Sequence, residues 1–389
     1  MFSGRVPSDR QMNRLSALLT RVRETRTLID LTVSNPTRVG IRYPEQLLAP
    51  LADPAALTYC PHPFGMEEAR EAVAETYARR GLPIDTQHVI LTASTSEAYS
   101  LLFKLLCDPG QADVLTPAPS YPLFDHLTRL DGLRQRRYAL RYHGSWSIDL
   151  ADVDREWTER TRALLVVAPN NPTGSGLSPA EADELVRRCA ARDVAMILDE
   201  VFHDYPLGAP AGEAPALGRR ECLLFRLGGL SKSAGLPQLK LGWMTVEGPD
   251  RLVMEAMDRL ELICDTYLSV STPVQRAAKS LLEESTVVRD QILDRIRGNY
   301  AVLREMVEAR PGGVSLLESE GGWSAVLRVP AVAGEEALVL ELLERDGVLV
   351  HPGFFFDFPH EAYLVLSLLP EPATFAQGVR AILERAHDA

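Results

Sequence analysis

Residues 163 to 200 read ALLVVAPNNPTGSGLSPAEADELVRRCAARDVAMILDE, and this stretch decides the fold. It opens with an apolar run, 163 to 168, and closes with a second one, 195 to 199, while residues 178 to 192 have the spacing of an amphipathic helix. Near-continuous apolar runs are typical of strands that are covered on both faces of a sheet. Two such strands joined by a helix predict a βαβ unit with parallel strands.

The same alternation of apolar runs and helical segments continues on both sides of this unit. Five more runs rich in Val, Ile and Leu predict strands, at 88 to 92, 113 to 117, 134 to 140, 222 to 227 and 240 to 246. Residues 96 to 107 predict another amphipathic helix. We therefore expect an α/β protein whose large domain, residues 46 to 275, holds a seven-stranded, mostly parallel sheet.

A second, smaller domain is expected from the two ends of the chain. Beyond residue 275 the pattern changes to long helices and short strands, predicted at 273 to 309, 335 to 346, 322 to 329 and 363 to 368. The first 45 residues predict a helix and an extended segment that packs on the C-terminal part. The small domain would then comprise residues 1 to 45 and 276 to 389. Residues 209 to 217 predict only a loop rich in Pro, Ala and Gly.

Composition and charge narrow the kinds of partner that the chain can have. Of its 389 residues 46% are hydrophobic, which is enough for a sizeable core, and 53 acidic against 41 basic residues give a net charge of −12. An acidic chain with no Lys/Arg-rich block argues against nucleic acid and membrane surfaces, and it favours small molecules. No stretch has the apolar length needed to span a bilayer, and no secretory leader is recognisable. The five cysteines lack zinc-ligand spacing, so we expect no metal and a cytoplasmic location.

Four short segments place polar residues after predicted strands, where α/β proteins bind ligands. Ser94 opens a hydroxyl-rich helix start that could receive a phosphate, although Ser94-x-x-Glu97 is also an ordinary capping box. Asn171 follows a strand, and a local turn is its simpler explanation. Asp199 could be a solvated acid and Lys232 a surface lysine. Each segment alone is compatible with a purely structural role.

The order and spacing of the four segments carry more information than any one of them. A hydroxyl-rich helix start, NNPTG at 170 to 174, DE at 199 to 200 and SK at 231 to 232 together resemble the class I/II aminotransferases. These are fold type I enzymes of the aspartate aminotransferase kind that use pyridoxal 5'-phosphate (PLP), and the resemblance runs over essentially the whole chain. It implies an enzyme that exchanges an amino group between an amino acid and a 2-oxo acid. It also implies a homodimer with shared active sites.

The resemblance assigns roles to individual residues. Lys232 matches the lysine that forms the Schiff base with PLP and later moves a proton, and Asp199 matches the acid that pairs with the pyridine nitrogen. Tyr121 matches the catalytic-site aromatic that stacks on the ring, with core packing as the alternative, and Asn171 matches an amide donor to the phenolate oxygen. Further cofactor-binding residues are expected around the phosphate, namely Ser94, Thr95, Ser96, Ser231, Lys240 and, from the neighbouring subunit, Tyr59.

Three positions depart from the family pattern. Lys240 stands where an arginine is usual, which keeps the positive charge but loses the bidentate fork. Phe202 replaces a tyrosine that donates to the phenolate oxygen, a hydrogen bond that is lost unless Tyr205 or a water substitutes. Val365, two residues before Ser367, stands where the family has the arginine that clamps the substrate carboxylate. The substrate is then held differently or is not a standard α-amino acid.

Other residues are candidates for contacting the substrate. Asn35 and Arg38 match the family's N-terminal substrate-contacting segment, with Arg42 close behind, but both arginines are equally well explained as solvated surface residues. Trp323 and the aromatic segment 351 to 356 match parts of the family that line the mouth of the site. An aromatic mouth would suit an apolar or ring-bearing substrate, with core packing as the alternative.

Two other functions stay open at this stage. Phe202 and Val365 also suit a different PLP reaction on the same scaffold, such as β- or γ-elimination, replacement or carbon-carbon bond formation. A PLP-sensing regulator domain would need a winged-helix segment, and the sequence has neither such a segment nor a basic face. Amino-group transfer is the function that the resemblance favours.

Overall fold

The structure is a computed structural model that describes residues 2–7, 11–208, 221–310, 312–331 and 334–388. The loop expected at 209 to 217 lies outside the described residues. Within these ranges the strands are, in chain order, β1 (Ile29–Asp30), β2 (Val89–Thr92), β3 (Asp113–Ala118), β4 (Arg134–Tyr142), β5 (Trp146–Ile148), β6 (Thr161–Val167), β7 (Ala195–Asp199), β8 (Leu224–Gly229), β9 (Gly242–Glu247), β10 (Ser315–Leu317), β11 (Ser324–Arg328), β12 (Val348–Leu349), β13 (His351–Pro352) and β14 (Tyr363–Ser367).

Helices cover both faces of the main sheet and make up much of the C-terminal part. In the described part of the chain they are α1 (Arg14–Arg23), α2 (Glu67–Arg79), α3 (Thr95–Leu106), α4 (Leu123–Leu130), α5 (Leu150–Glu156), α6 (Pro179–Ala191), α7 (Leu230–Ser233), α8 (Asp250–Tyr267), α9 (Thr272–Glu284), α10 (Thr286–Glu308), α11 (Glu335–Glu341) and α12 (Pro372–Asp388). None of the helices in these ranges combines the length and the apolarity that crossing a bilayer requires.

The main sheet has the strand order β2-β9-β8-β7-β6-β3-β4-β5. Strands β8, β7, β6, β3 and β4 are parallel neighbours, β9 runs antiparallel to β2 and β8, and β5 runs antiparallel to β4. The α/β fold and all seven predicted strands are confirmed. The eighth strand, β5, was missed because its three residues return in a hairpin that is too short to show a hydrophobic period.

The βαβ unit of β6, α6 and β7 forms as the sequence predicts. Every residue of β7 is buried, since helices cover both faces of the sheet. Helix α6 begins at a capping box in which Ser178 and Glu181 satisfy each other's backbone N–H groups, and Pro179 occupies its first position. The helix therefore starts at a defined residue and returns the chain to the sheet in parallel.

The C-terminal part is built on a small antiparallel sheet in the order β10-β11-β14-β13. Near the N-terminus, β1 pairs in parallel with β12. The single helix predicted at 273 to 309 is wrong, because Ser285 ends α9 and precedes α10. Serine is a weaker helix former than alanine or leucine, although Ser285 makes no side-chain capping bond here. The domain boundaries at residues 45 and 275 stay a prediction.

Candidate active site

A cavity of about 500 Å³ lies between the carboxyl ends of the central parallel strands and one face of the small sheet. Most of the candidate residues from the sequence line it, namely Ser94, Thr95, Ser96, Tyr121, Asn171, Asp199, Ser231, Lys232, Lys240 and Trp323. Tyr59, Asn35 and Arg38 are not among its lining residues. The fold thus gathers into one place residues that lie far apart in the sequence.

Lys232 lies in α7, the single helical turn that follows β8 directly. Burial lowers the pKa of its amine from 10.5 to about 8, while the negative charge of Asp199 acts in the opposite direction. Its Nζ lies 4.5 Å from the ring centroid of Trp323 and 5.3 Å from that of Phe202, so aromatic faces partly replace water around the charge. A larger fraction of this amine is neutral at physiological pH than of a surface lysine.

Asp199 is the last residue of β7, and its side chain is held by two donors. The hydroxyl of Tyr99 donates to Oδ2 at 2.7 Å, and the backbone N–H of Val201 donates to Oδ1 at 3.0 Å. Burial nevertheless raises the pKa of this carboxyl from 3.8 to about 6, because the hydrogen bonds offset the loss of water only in part. The result is a fixed carboxylate that gains from a positively charged partner in the cavity.

The sequence analysis did not identify Tyr99, and it named Glu200 only as the neighbour of Asp199 in the DE pair. Glu200 Oε1 accepts hydrogen bonds from Arg80 at 3.1 Å and Arg226 at 3.0 Å, and the buried Arg226 also binds Glu247 at 2.7 Å. These ion pairs stabilise a second charge directly behind Asp199. The network brings distant strands together, so no local motif could have predicted it.

The start of α3 forms the hydroxyl-rich end of the cavity. Ser94 Oγ accepts the backbone N–H of Glu97 at 3.2 Å, so its capping role is real, and the side chains of Thr95 and Ser96 also line the cavity. The first backbone N–H groups of a helix have no partner within the helix, and they attract an anion. A Cβ at Gly242 would lie 3.1 Å from the backbone nitrogen of Thr95, so only glycine lets the neighbouring strand approach so closely.

Tyr121 and Asn171 both line the cavity, Tyr121 just before α4 and Asn171 after β6. Tyr121 is 40% exposed and packs edge-on against Phe124 at 5.8 Å, so a face of its ring stays free. Asn171 Oδ1 lies 3.5 Å from Ser324 Oγ, which joins the main sheet to the small sheet at this point. A planar ligand inserted here would have an aromatic ring and an amide within reach.

The residues that depart from the family pattern also line the cavity. Phe202 packs at 5.5 Å from the ring of Trp323, in the wall beside Lys232. Tyr205 does not replace its missing hydroxyl, because the Tyr205 OH donates to the backbone carbonyl of Lys232 at 2.5 Å and the side chain is not a lining residue. Val365 lines the cavity on β14.

The candidates in the N-terminal segment occupy a different environment. Asn35 caps a short turn, its Oδ1 accepting the backbone N–H of Thr37 at 3.0 Å, and Arg38 and Arg42 are exposed. Of residues 29 to 42 only Thr32 and Ser34 line the cavity, and none of the described lining residues is an arginine. A substrate role for Asn35 and Arg38 stays a prediction.

Comparisons with known proteins give a consistent result. The model of the family "Aminotransferase class I and II" matches residues 27–382. The chain is 28% identical over 374 residues to the alanine aminotransferase of Mycobacterium tuberculosis, covering 93% of this chain and 85% of that protein. It is 23% identical over 372 residues to the glutamate-pyruvate aminotransferase of Escherichia coli K12, covering 89% and 87%.

Solved structures show the same fold. The alanine aminotransferase from Pyrococcus furiosus superposes with a TM-score of 0.89 at 22% identity, over 100% of both chains. A double mutant of the Thermus thermophilus aspartate aminotransferase superposes with a TM-score of 0.85 at 22% identity, over 99% of both chains. The arrangement of the large sheet and its helices is therefore shared along the full length.

Proposed function

The chain belongs to the class I and II aminotransferase family, and from this premise we propose that it transfers amino groups with PLP held at Lys232. Membership makes the protein an enzyme of amino-group transfer. The amino donor and acceptor that we propose are an amino acid and a 2-oxo acid, in line with the relatives named alanine and glutamate-pyruvate aminotransferases. The observation that carries the proposal is the shared cavity that Lys232 and Asp199 line.

The residues present fit PLP group by group. The anionic phosphate suits the start of α3, where the first backbone N–H groups have no partner within the helix. Thr95, Ser96 and Lys240 line the same cavity. The pyridine nitrogen suits Asp199, which is buried. Among the described residues, Lys232 is the one cationic side chain that acts on this carboxylate. Tyr121 offers a ring face for stacking and Asn171 an amide for the phenolate oxygen.

When bound, PLP supplies an electron sink for the negative charge that develops on the substrate's reacting carbon. Asp199 would favour a protonated pyridine nitrogen, because Tyr99 and the N–H of Val201 keep its carboxylate in place. Lys232 Nζ would hold the cofactor and would also serve as the base that takes a proton from the substrate and returns it. A base must be neutral, and the lowered pKa of Lys232 gives it a larger neutral fraction near neutral pH than a surface lysine has.

The dimer and the compartment are part of the same proposal. Tyr59 is 74% exposed and Leu57 is 91% exposed, in a segment that offers apolar area to a second copy of the chain. We propose that Tyr59 reaches the phosphate in the partner's cavity. All five cysteines are free thiols, which is in accord with a reducing cytoplasm.

The test begins with the visible absorbance band of lysine-bound PLP in the purified enzyme. We expect this band in the wild type and in the control Lys279→Ala, whose side chain pairs with Glu75 on the surface, but not in Lys232→Ala. Adding an amino acid should convert the band to that of the amine form of the cofactor, and a 2-oxo acid should restore it. A protein that binds no PLP, or a Lys232→Ala variant that keeps the band, would refute the proposal.

A further inference from the structure

The position where the family has its carboxylate-binding arginine has a specific neighbour in this chain. Val365 on β14 pairs directly with His351 on β13 on one side and with Val326 on β11 on the other. Directly paired residues of antiparallel strands project from the same face, with Cβ atoms about 4.5–5.5 Å apart. His351 and Val365 both line the cavity, so the imidazole lies beside the position that an arginine would occupy.

The part of the cavity beside Val365 has no cationic side chain other than His351 among the described lining residues. Among the cavity's described lining residues, only Lys232, Lys240 and His351 can carry positive charge. Lys232 lies beside Asp199 after β8, and Lys240 stands two residues before Gly242, which closely approaches the start of α3. Both therefore belong to the cofactor end, whereas His351 lies on the small sheet.

The surroundings of His351 give its polar atoms little to bind within the protein. Nδ1 is buried and has no hydrogen-bond partner among the described residues. The ring packs at 5.8 Å from the rings of both Phe355 and Phe356, which also line the cavity. A buried polar nitrogen without a partner is costly, so an acceptor brought by a ligand would stabilise this arrangement.

We propose that His351 binds the substrate's carboxylate, taking the place of the arginine that Val365 replaces. The inference rests on the proposed function, since it names the group that orients the amino acid for transfer. The imidazole donates one N–H to one carboxylate oxygen, where an arginine would donate two in parallel. Ser324, paired with Ser367 on the same face of the sheet, adds a hydroxyl to the polar surface around it, whereas the Ser367 hydroxyl already donates to the backbone carbonyl of Val33.

The carboxylate of Asp30 is engaged with other groups. Burial lowers the pKa of His351, and the negative charge of Asp30 acts in the opposite direction. Asp30 Oδ1 accepts hydrogen bonds from the backbone N–H of Thr32 at 2.8 Å and from the Thr32 hydroxyl at 2.6 Å. Asp30 therefore already has its own local partners. The aromatic rings beside His351 exclude water, which strengthens a hydrogen bond to an incoming carboxylate.

The experiment compares His351→Ala, His351→Gln and the control His143→Ala, an exposed histidine on another part of the fold. The probes are propionate and its uncharged analogue propionamide, titrated into the PLP-loaded enzyme. We expect the Kd of propionate to rise about ten- to hundred-fold in His351→Ala, as for loss of a hydrogen bond to a charged group. Propionamide should change little, His351→Gln should recover part of the affinity, and His143→Ala should match the wild type.

Two further readouts separate binding from structure and from the proposed function. In His351→Ala the KM for an amino-acid donor should rise more than kcat falls, and propionate should raise the pKa of His351, followed by its ring NMR signal in the wild type. Equal propionate Kd values in the wild type and His351→Ala would overturn the inference even if the enzyme transfers amino groups. A wild type that binds propionate through His351 but transfers no amino group would refute the proposed function instead.

Discussion

Asp199 should lower the stability of the PLP-free protein, and the structure gives the size of the effect. Asp199 is only 6% exposed, and burial raises the pKa of its carboxyl from 3.8 to about 6. Below about pH 4 the group is protonated in both the folded and the unfolded protein, so it costs nothing. As the pH rises from about 4 to 6, the unfolded chain releases its proton first and the folded state loses stability.

Above about pH 6 the cost reaches its full value. A difference of about two between the folded and unfolded pKa values corresponds to about 3 kcal/mol, at 1.36 kcal/mol for each pKa unit. Asp199→Asn keeps the shape and the acceptor for the N–H of Val201, but it removes the charge. The PLP-free variant should therefore be more stable than the wild type by up to about 3 kcal/mol at neutral pH, and by almost nothing near pH 4.

The assay is urea unfolding of the PLP-free wild type, Asp199→Asn and the exposed control Asp258→Asn at several pH values. Saturating PLP should reverse the order, because the protonated pyridine nitrogen pairs with the charged carboxylate and stabilises only the wild type. A gain in Asp199→Asn that is the same at pH 4 and pH 7 would contradict the reasoning, since no ionisation would then be involved. So would an equal gain in the control.

Three further predictions concern the same site. Tyr99→Phe removes the donor to Asp199 and should raise the pKa of that carboxyl by about 1 to 2. The acid limb of the pH profile of kcat/KM should then move to higher pH. A limb that does not move would count against this role of Tyr99. The rate at which PLP-free enzyme takes up PLP should rise with pH through about 8 and then level off, because the Lys232 amine loses its proton. The growth of the visible absorbance band measures this rate. A rate that does not depend on pH would exclude Lys232 as the titrating group. Mixing Tyr59→Phe with Lys232→Ala subunits should restore up to about a quarter of the wild-type activity, because each heterodimer contains one complete site; no recovery on mixing would argue against shared sites.

The sequence predicted the scaffold well because its signals are local. Apolar runs of five to seven residues mark the strands of the main sheet, and capping residues mark the helix starts, as at Ser178. Two features without a sequence pattern were missed. The hairpin strand β5 exists through its contact with β4, and its three residues have no periodic pattern to detect. The break at Ser285 is a single residue between two helical patterns, too short to interrupt the apolar spacing.

The residues of the site that lie in local motifs were predicted, and those that depend on contacts between distant segments were not. The motifs that hold Asn171, Asp199 and Lys232 each follow a strand, so the sheet brings them to one cavity. The sequence offered Tyr205 as a substitute donor, but its hydroxyl is taken by a backbone carbonyl, which only three-dimensional packing reveals. His351 was noticed only as part of an aromatic segment, because its pairing with Val365 is set by strand register.

The pairing of β1 with β12 has a consequence for when the cavity forms during protein synthesis. Residues Ile29–Asp30 are synthesised long before their partners Val348–Leu349. Nearby, the Ser367 hydroxyl donates to the backbone carbonyl of Val33 at 2.5 Å, which ties the cavity wall to the same early segment. Contacts between such distant parts of a chain form late. The segment that carries Lys232 is therefore synthesised before the residues of β14 that complete the wall of the cavity.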